Sequence, residues 1–345
     1  MRYLLSTVCF LATSAAAQEA PRVVVDIAPV RALVAQIMEG AGVPDQIIPA
    51  GASPHGYAMR PSEARALGEA DLVVWVGPAL THWLEEPLDT LSGQAERITL
   101  MDQPGTVNLP TREGQVLEVK EAEGHDHDHA EGHDHDHAEG HDHDHAEGHD
   151  HDHSDEHKGD HGDSHDHAHH DGHDHGLIDP HGWLSPANAV LWAGAVAQSL
   201  GRMDPANAAL YQRNLETLSA ELAGLEAEIT VQLAPYADTP FIVLHDGFQY
   251  FEAAFGVEAD AFIIPSDGQT PGPATLRALR DHLAGQPAVC AFTEPQENES
   301  LMLTAIDGGQ TRMAVLDPLG DGQISYATLL RNIADDMVGC LSGGA

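Results

Sequence analysis

Apolar positions along the chain fall into two alternating kinds of segment. Short β-type runs at 23–27, 46–49, 72–76 and 97–101 have the length and branching of strands. Between them, 30–39, 62–70 and 80–91 carry apolar residues at helical spacing. A helix is predicted over 187–200. Pro205 then opens a long amphipathic stretch to Leu233, with Leu210, Leu215, Leu218, Leu222, Leu225 and Ile229 mostly three to five apart. Asp204 followed by Pro205 predicts an N-cap and first helical position. A helix from there to Leu233 would be about 43 Å long. Strands return at 241–245, 260–264, 288–293 and 312–317, with helices at 248–255, 273–284, 297–306 and 326–341.

The order is four β-α units, one long helix, and four more β-α units. Such alternation implies an α/β fold with parallel sheets covered by helices. Two (β/α)4-type lobes joined by one long rigid helix leave a cleft between them. The expected divisions are an N-terminal lobe at 18–203, a linking helix at 204–234 and a C-terminal lobe at 235–345.

One segment breaks the pattern. Residues 118–175 hold 20 of the 25 histidines and 21 of the 55 acidic residues. From Glu123 the octad Glu-Gly-His-Asp-His-Asp-His-Ala occurs three times, and a fourth copy ends in Ser154. From 123 to 175 no apolar residue is larger than Ala, so the segment cannot bury a core and is expected to be a disordered insertion in the first lobe. Neutral imidazoles beside carboxylates suit Zn, Ni and Cu. Each site must order the chain around an ion, so these sites should be weaker than a preformed one.

The formal net charge of −40 excludes a nucleic-acid binder working through a basic surface and disfavours docking on anionic lipid. Arg2, the apolar run 3–12 and Ala15-Ala16-Ala17 before Gln18 form a secretory signal at 1–17, so a soluble secreted product is expected. No other stretch approaches the roughly 20 apolar residues of a membrane span. After cleavage two cysteines remain, Cys290 and Cys340. In an oxidising compartment they form either a disulfide or two buried thiols.

Ligands in open α/β sheets bind beyond the carboxyl ends of strands. Three histidines outside the tract fall at or near such places. His55 follows the second strand within Gly51-Ala52-Ser53-Pro54-His55. His181 lies in Asp179-Pro180-His181-Gly182-Trp183-Leu184-Ser185-Pro186. His245 ends the strand Phe241-Ile242-Val243-Leu244-His245, before Asp246. Together they form a candidate metal site. Asp317, in Leu316-Asp317-Pro318-Leu319-Gly320, is a candidate fourth ligand, an anchor standing behind one, or a turn former. Glu294, in Phe292-Thr293-Glu294-Pro295-Gln296, is a weaker candidate. His82 and His282 read as surface residues, and Asp26 as support for the fold.

These motifs, in this order, resemble the ZnuA-like branch of the metal-binding solute-binding proteins, and the resemblance covers nearly all of the chain from Val23 onward. It implies a periplasmic monomer that binds Zn2+ between two lobes and delivers it to the inner-membrane ABC permease of a zinc importer. It places the primary zinc ligands on His55, His181 and His245, and implies a Cys290–Cys340 disulfide and an auxiliary His-rich loop. Manganese-selective relatives have a carboxylate where this chain has His245, which favours Zn2+. Some relatives have Glu before the first histidine; here it is Pro54, so Asp317 or water must complete the tetrahedron. A manganese importer is the runner-up. A periplasmic zinc buffer, metallochaperone or adhesin without a transporter is a further alternative. A hydrolytic zinc enzyme is disfavoured, since the chain lacks a Ser/His/Asp arrangement, a P-loop or an H-E-x-x-H motif.

Overall fold

The computed structural model describes residues 20–112, 178–266, 268, 272–306 and 309–343. The secretory signal and the histidine tract lie outside the described residues.

The first lobe holds β1 (Val23–Val25), α1 (Ala28–Ile37), β2 (Asp45–Gln46), α2 (Pro61–Gly68), β3 (Leu72–Trp75), α3 (Pro78–Thr81), α4 (Glu85–Leu91), β4 (Glu96–Thr99) and α5 (Pro186–Met203). Then comes α6 (Ala208–Leu233). The second lobe holds β5 (Phe241–His245), α7 (Gln249–Phe255), β6 (Ala261–Ile264), α8 (Pro273–Gly285), β7 (Cys290–Thr293), α9 (Ser300–Ala305), β8 (Arg312–Val315) and α10 (Tyr326–Leu341). Each lobe contains a four-stranded parallel sheet, ordered β2-β1-β3-β4 in the first and β6-β5-β7-β8 in the second. The predicted α/β architecture is therefore present. Strands β1, β3, β5, β6 and β7 are buried along their whole length. That follows from their near-continuous apolar sequence, because a parallel sheet is covered on both faces.

Alternation along β5 sorts its side chains. Phe241 and Val243 join the core cluster that runs through α6 and the first lobe. Ile242 and Leu244 join a second cluster with Leu279 of α8 and Met302 of α9. Successive strand residues point to opposite faces. His245 shares the parity of Phe241 and Val243, and so is aimed from the end of β5 toward the first lobe.

The long helix is shorter than the sequence pattern suggests, at 26 residues or about 39 Å. It begins at Ala208, not at Pro205. Asp204 instead closes α5, and its carboxylate accepts from Asn207 Nδ2 at 2.7 Å and from Tyr211 Oη at 2.9 Å. A short polar side chain satisfies either helix end, and the three residues 205–207 turn the chain between α5 and α6. The inner face of α6 buries Tyr211, Leu218, Leu222, Leu225, Ile229 and Leu233. These residues continue the core from one lobe to the other. The helix predicted over 80–91 is broken by a tight 3-10 turn at His82–Leu84. The predicted second strand is reduced to Asp45–Gln46, although Ile47 and Ile48 still donate backbone hydrogen bonds to Val25 and Asp26.

Cys290, the first residue of β7, is bonded to Cys340 in the last helix, 50 residues on. The alternative of two buried thiols is thereby removed. Closing a loop of this length should stabilise the fold by about 2–4 kcal/mol. A Cys290→Ala/Cys340→Ala double variant should therefore lose stability in that range in urea denaturation. Thiol titration of the unreduced, denatured secreted chain should find no free thiol.

Candidate metal site

One cavity of the protein is lined by residues that follow strands in both lobes. His55 sits in a 3-10 turn, Pro54–Gly56, beyond β2. That turn is held by Trp83, whose indole nitrogen donates to Pro54 O at 2.9 Å, and by Tyr57, whose ring lies 5.9 Å from that of Trp83. His181 opens another 3-10 turn, Gly182–Leu184. Here Trp183 donates to Pro318 O at 2.9 Å, and its own carbonyl accepts from Tyr326 Oη at 2.6 Å. A residue of the first lobe is thus clamped by two residues of the second. His245 comes from the end of β5.

The three imidazoles meet. Ring centroids are 4.8 Å apart for His181 and His245, 5.4 Å for His55 and His245, and 5.7 Å for His55 and His181. One nitrogen from each lies within 4.8 Å of the others. The Nε2 atoms of His55 and His245 are buried without a hydrogen-bond partner. Buried polar atoms are normally satisfied, so each orphan calls for an explanation. Glu294, Gln296, Glu297 and Leu319 line the same cavity.

Burial and the neighbouring histidines push the His55 pKa down to about 2. Burial, helped by His245, holds His181 well below the usual histidine value. Burial is the strongest single influence on His245 and lowers it, but Glu294, Glu297 and Asp246 together outweigh it and raise the group to about 9. Two of the three rings are thereby kept neutral with a lone pair free, the form in which imidazole binds metal.

Asp317 is not brought into the histidine group. Its Oδ1 accepts from the backbone N–H of Leu319 at 3.1 Å, that of Gly320 at 3.0 Å and Gln296 Nε2 at 3.0 Å. That oxygen forms the turn after β8, which is the turn-former role open to it in the sequence. His82 is exposed and His282 half-buried, both outside the group. Asp26 is buried and accepts from Ile27 N at 2.8 Å and Val76 N at 2.7 Å, tying the end of β1 to that of β3.

Sequence reasoning missed Arg112, Asp179 and Gly247. Arg112 is the last described residue before the insertion, and it crosses into the second lobe. Its Nη1 donates to Glu252 Oε2 at 2.7 Å and its Nε to Asp246 Oδ1 at 2.9 Å, while the guanidinium lies 5.8 Å from the Phe262 ring. Leu109 N donates to Tyr250 Oη at 2.9 Å, and that hydroxyl donates to Asp179 O at 2.9 Å. Asp179 could have been noticed two residues before His181. No local pattern marks Arg112, because its partners are more than 130 residues away. A Cβ at Gly247 would fall 3.0 Å from His245 Nδ1 and 3.3 Å from His181 Cδ2, so a side chain there would crowd both rings.

The family model described as zinc-uptake complex component A, periplasmic, matches residues 23–340. The chain is 41% identical over 333 residues to the high-affinity zinc uptake system protein ZnuA of Brucella suis, covering 95% of this chain and 94% of that protein. It is 43% identical over 328 residues to the protein of the same name from Paracoccus denitrificans, covering 94% and 92%. A crystal structure of ZnuA superposes with a TM-score of 0.69 at 21% identity, covering 93% of this chain and 99% of that one, and so shares the fold.

The cluster around Arg112 generates a prediction with a definite sign. Arg112→Met leaves Asp246 and Glu252 buried without a counter-charge, at a cost of about 3–5 kcal/mol. Burial already holds both carboxyls above their ordinary values, and losing the guanidinium raises them further. Such groups bind more protons folded than unfolded, so their effect on stability worsens as pH rises from about 4 through the raised folded values. Urea denaturation should therefore show the deficit of the variant shrinking from pH 7.5 to pH 5. A constant deficit would mean that the two carboxylates are not its source.

Proposed function

The chain belongs to the periplasmic zinc-uptake component A family, and from that premise we propose that it captures Zn2+ between its lobes and delivers it to an inner-membrane ABC permease. The ion is cargo. His55, His181 and His245 hold it through one ring nitrogen each, and Asp317 or water completes the tetrahedron. Among the described residues, the observation that carries this reading is one group of three imidazoles, two of them buried, with two unpartnered nitrogens.

Three nitrogens and an open fourth position fit tetrahedral zinc, with Zn–N distances of about 2.0–2.1 Å. Nitrogens around such an ion lie about 3.3 Å apart, so binding draws the rings inward from both lobes. An all-imidazole set favours Zn2+ over Mn2+, which prefers oxygen ligands. The protein works in the periplasm as a monomer. No helix among the described residues is long and apolar enough to cross a membrane. The tract at 118–175 supplies weaker auxiliary sites that gather zinc near the cleft by raising its local concentration.

His55→Ala, His181→Ala and His245→Ala should each sharply weaken the tight site, read as competition for one equivalent of zinc against a tight chelator. If all three keep wild-type affinity, the ligand assignment is wrong. Asp317→Ala should cost less if water takes its place; a loss as large as that of a histidine variant would make it a direct ligand.

Deleting 118–175 should remove several weak zinc ions and spare the tightest. The deletion variant should also acquire zinc from a chelator more slowly, at unchanged final affinity. Loss of the tightest site on deletion would refute this division of labour.

A further inference from the structure

The three rings differ in what stands behind them. His181 Nδ1 is 2.7 Å from Asp179 Oδ1, and the same oxygen accepts from the His181 backbone N–H at 2.9 Å. Asp179 is fully buried. With its side-chain amide turned to satisfy both neighbours, Gln249 of the second lobe donates to Asp179 Oδ2 at 2.9 Å and to Pro110 O at 3.1 Å. Asp179 is therefore fixed from two sides.

His245 has a comparable neighbour in its own lobe. Glu294 follows β7, and its Oε1 lies 3.3 Å from His245 Nδ1. The carboxylate is 7% exposed, and this oxygen has no aligned hydrogen bond. Leaving a buried acceptor unsatisfied costs stability, so Glu294 is poorly explained as a purely structural residue. Across from it, the backbone at Gly247 limits how far the His245 ring can swing. His55 is different. Among the described residues no carboxylate lies within ion-pair distance of its ring, which instead faces the backbone of Gly268, where a Cβ would fall 3.3 Å from Cγ.

A neutral imidazole has one N–H and one lone pair. A carboxylate beside Nδ1 keeps the proton on that atom and presents Nε2 to the metal. It also makes the ring a better donor. In the structure Nε2 of His245 is the unpartnered atom. Three neutral imidazoles bring no charge to a dication, and a buried charge needs compensation. We propose that Asp179 and Glu294 are positioning residues of the metal site, one in each lobe, which fix His181 and His245 as Nε2 ligands and offset the charge of the ion. The proposal rests on the ligand reading given above. It makes His181 and His245 a preset pair, with His55 the less constrained third donor.

The test uses the full secreted chain with one equivalent of Zn2+ in competition with a chelator, and Co2+ as a spectroscopic probe of ligand geometry. Glu294→Ala should weaken zinc binding by about 10–100-fold and shift the visible cobalt bands. The melting temperature without metal should be unchanged or higher, because a poorly satisfied buried carboxylate has gone. A purely structural residue would give the opposite pattern, lowered melting with unchanged affinity and spectrum. Glu294→Gln should recover part of the affinity, since its amide oxygen keeps a partial negative charge beside Nδ1 without the full charge of the carboxylate. Asp179→Asn, which keeps an acceptor oxygen, should likewise weaken zinc by less than Glu294→Ala. Wild-type affinity and spectrum in Glu294→Ala would overturn the proposal. His245→Ala serves as the reference: if it too bound like wild type, the fault would lie in the ligand assignment, not in the role of the carboxylates.

Discussion

Keeping ring nitrogens dry, unpartnered and aimed at one point is the demand that organises this molecule. A buried nitrogen without a hydrogen bond is unfavourable by about 1–3 kcal/mol. Two such atoms, on His55 and His245, face the cleft. They persist because their rings are held by structure that forms for other reasons. The Pro54–Gly56 turn is pinned by Trp83, the His181 turn by Trp183 and Tyr326, and His245 by its place at the end of a buried strand. Each anchor lies outside the group of rings, so the ring nitrogens are left free to face the cavity while its walls belong to the cores.

The lobes are fastened to each other beside the site as well as through α6. Trp183 to Pro318, Tyr326 to Trp183, Arg31 to Gly322 and Arg112 to Asp246 and Glu252 all cross from one lobe to the other. Most of these contacts are made by side chains long enough to reach backbone carbonyls or carboxylates across the cleft. The core through α6 supplies the non-directional part of the attachment, and these bonds supply its register.

Much of this was legible in the sequence because it depends on local pattern. The eight strands and most helices follow from apolar periodicity, and the three histidines stand out because they occur where parallel strands end. Discrepancies arise where one local signal admits two outcomes. Asp204-Pro205 reads as a helix start, yet Asp204 serves the end of α5 and α6 waits for Ala208. The apolar spacing of 80–91 hides a 3-10 break at His82–Leu84. Asp317 and Glu294 both follow strands, and sequence ranked Asp317 first. The structure turns an oxygen of Asp317 into its own loop and sets Glu294 against His245. Arg112 was invisible because its significance is wholly tertiary.

The place of the insertion follows from the same contacts. Immediately before it, Leu109 and Arg112 bond to Tyr250, Asp246 and Glu252 of the second lobe. Immediately after it, Ile178 bridges Pro110, Asp179 N donates to Leu109 O, and Asp179 bonds to His181. The chain is therefore pinned on both sides of residues 113–177 by bonds that involve residues close to His181 and His245 in sequence. Once two ends are fixed, the entropy of closing the segment between them grows only with the logarithm of its length, about 0.6 kcal/mol per doubling. Repeating an octad four times at this point thus makes little demand on the fold. A repeat placed within a strand or along α6 would break the register on which the three rings depend. The insertion is rooted between Arg112, which bonds beside His245, and Asp179, two residues from His181.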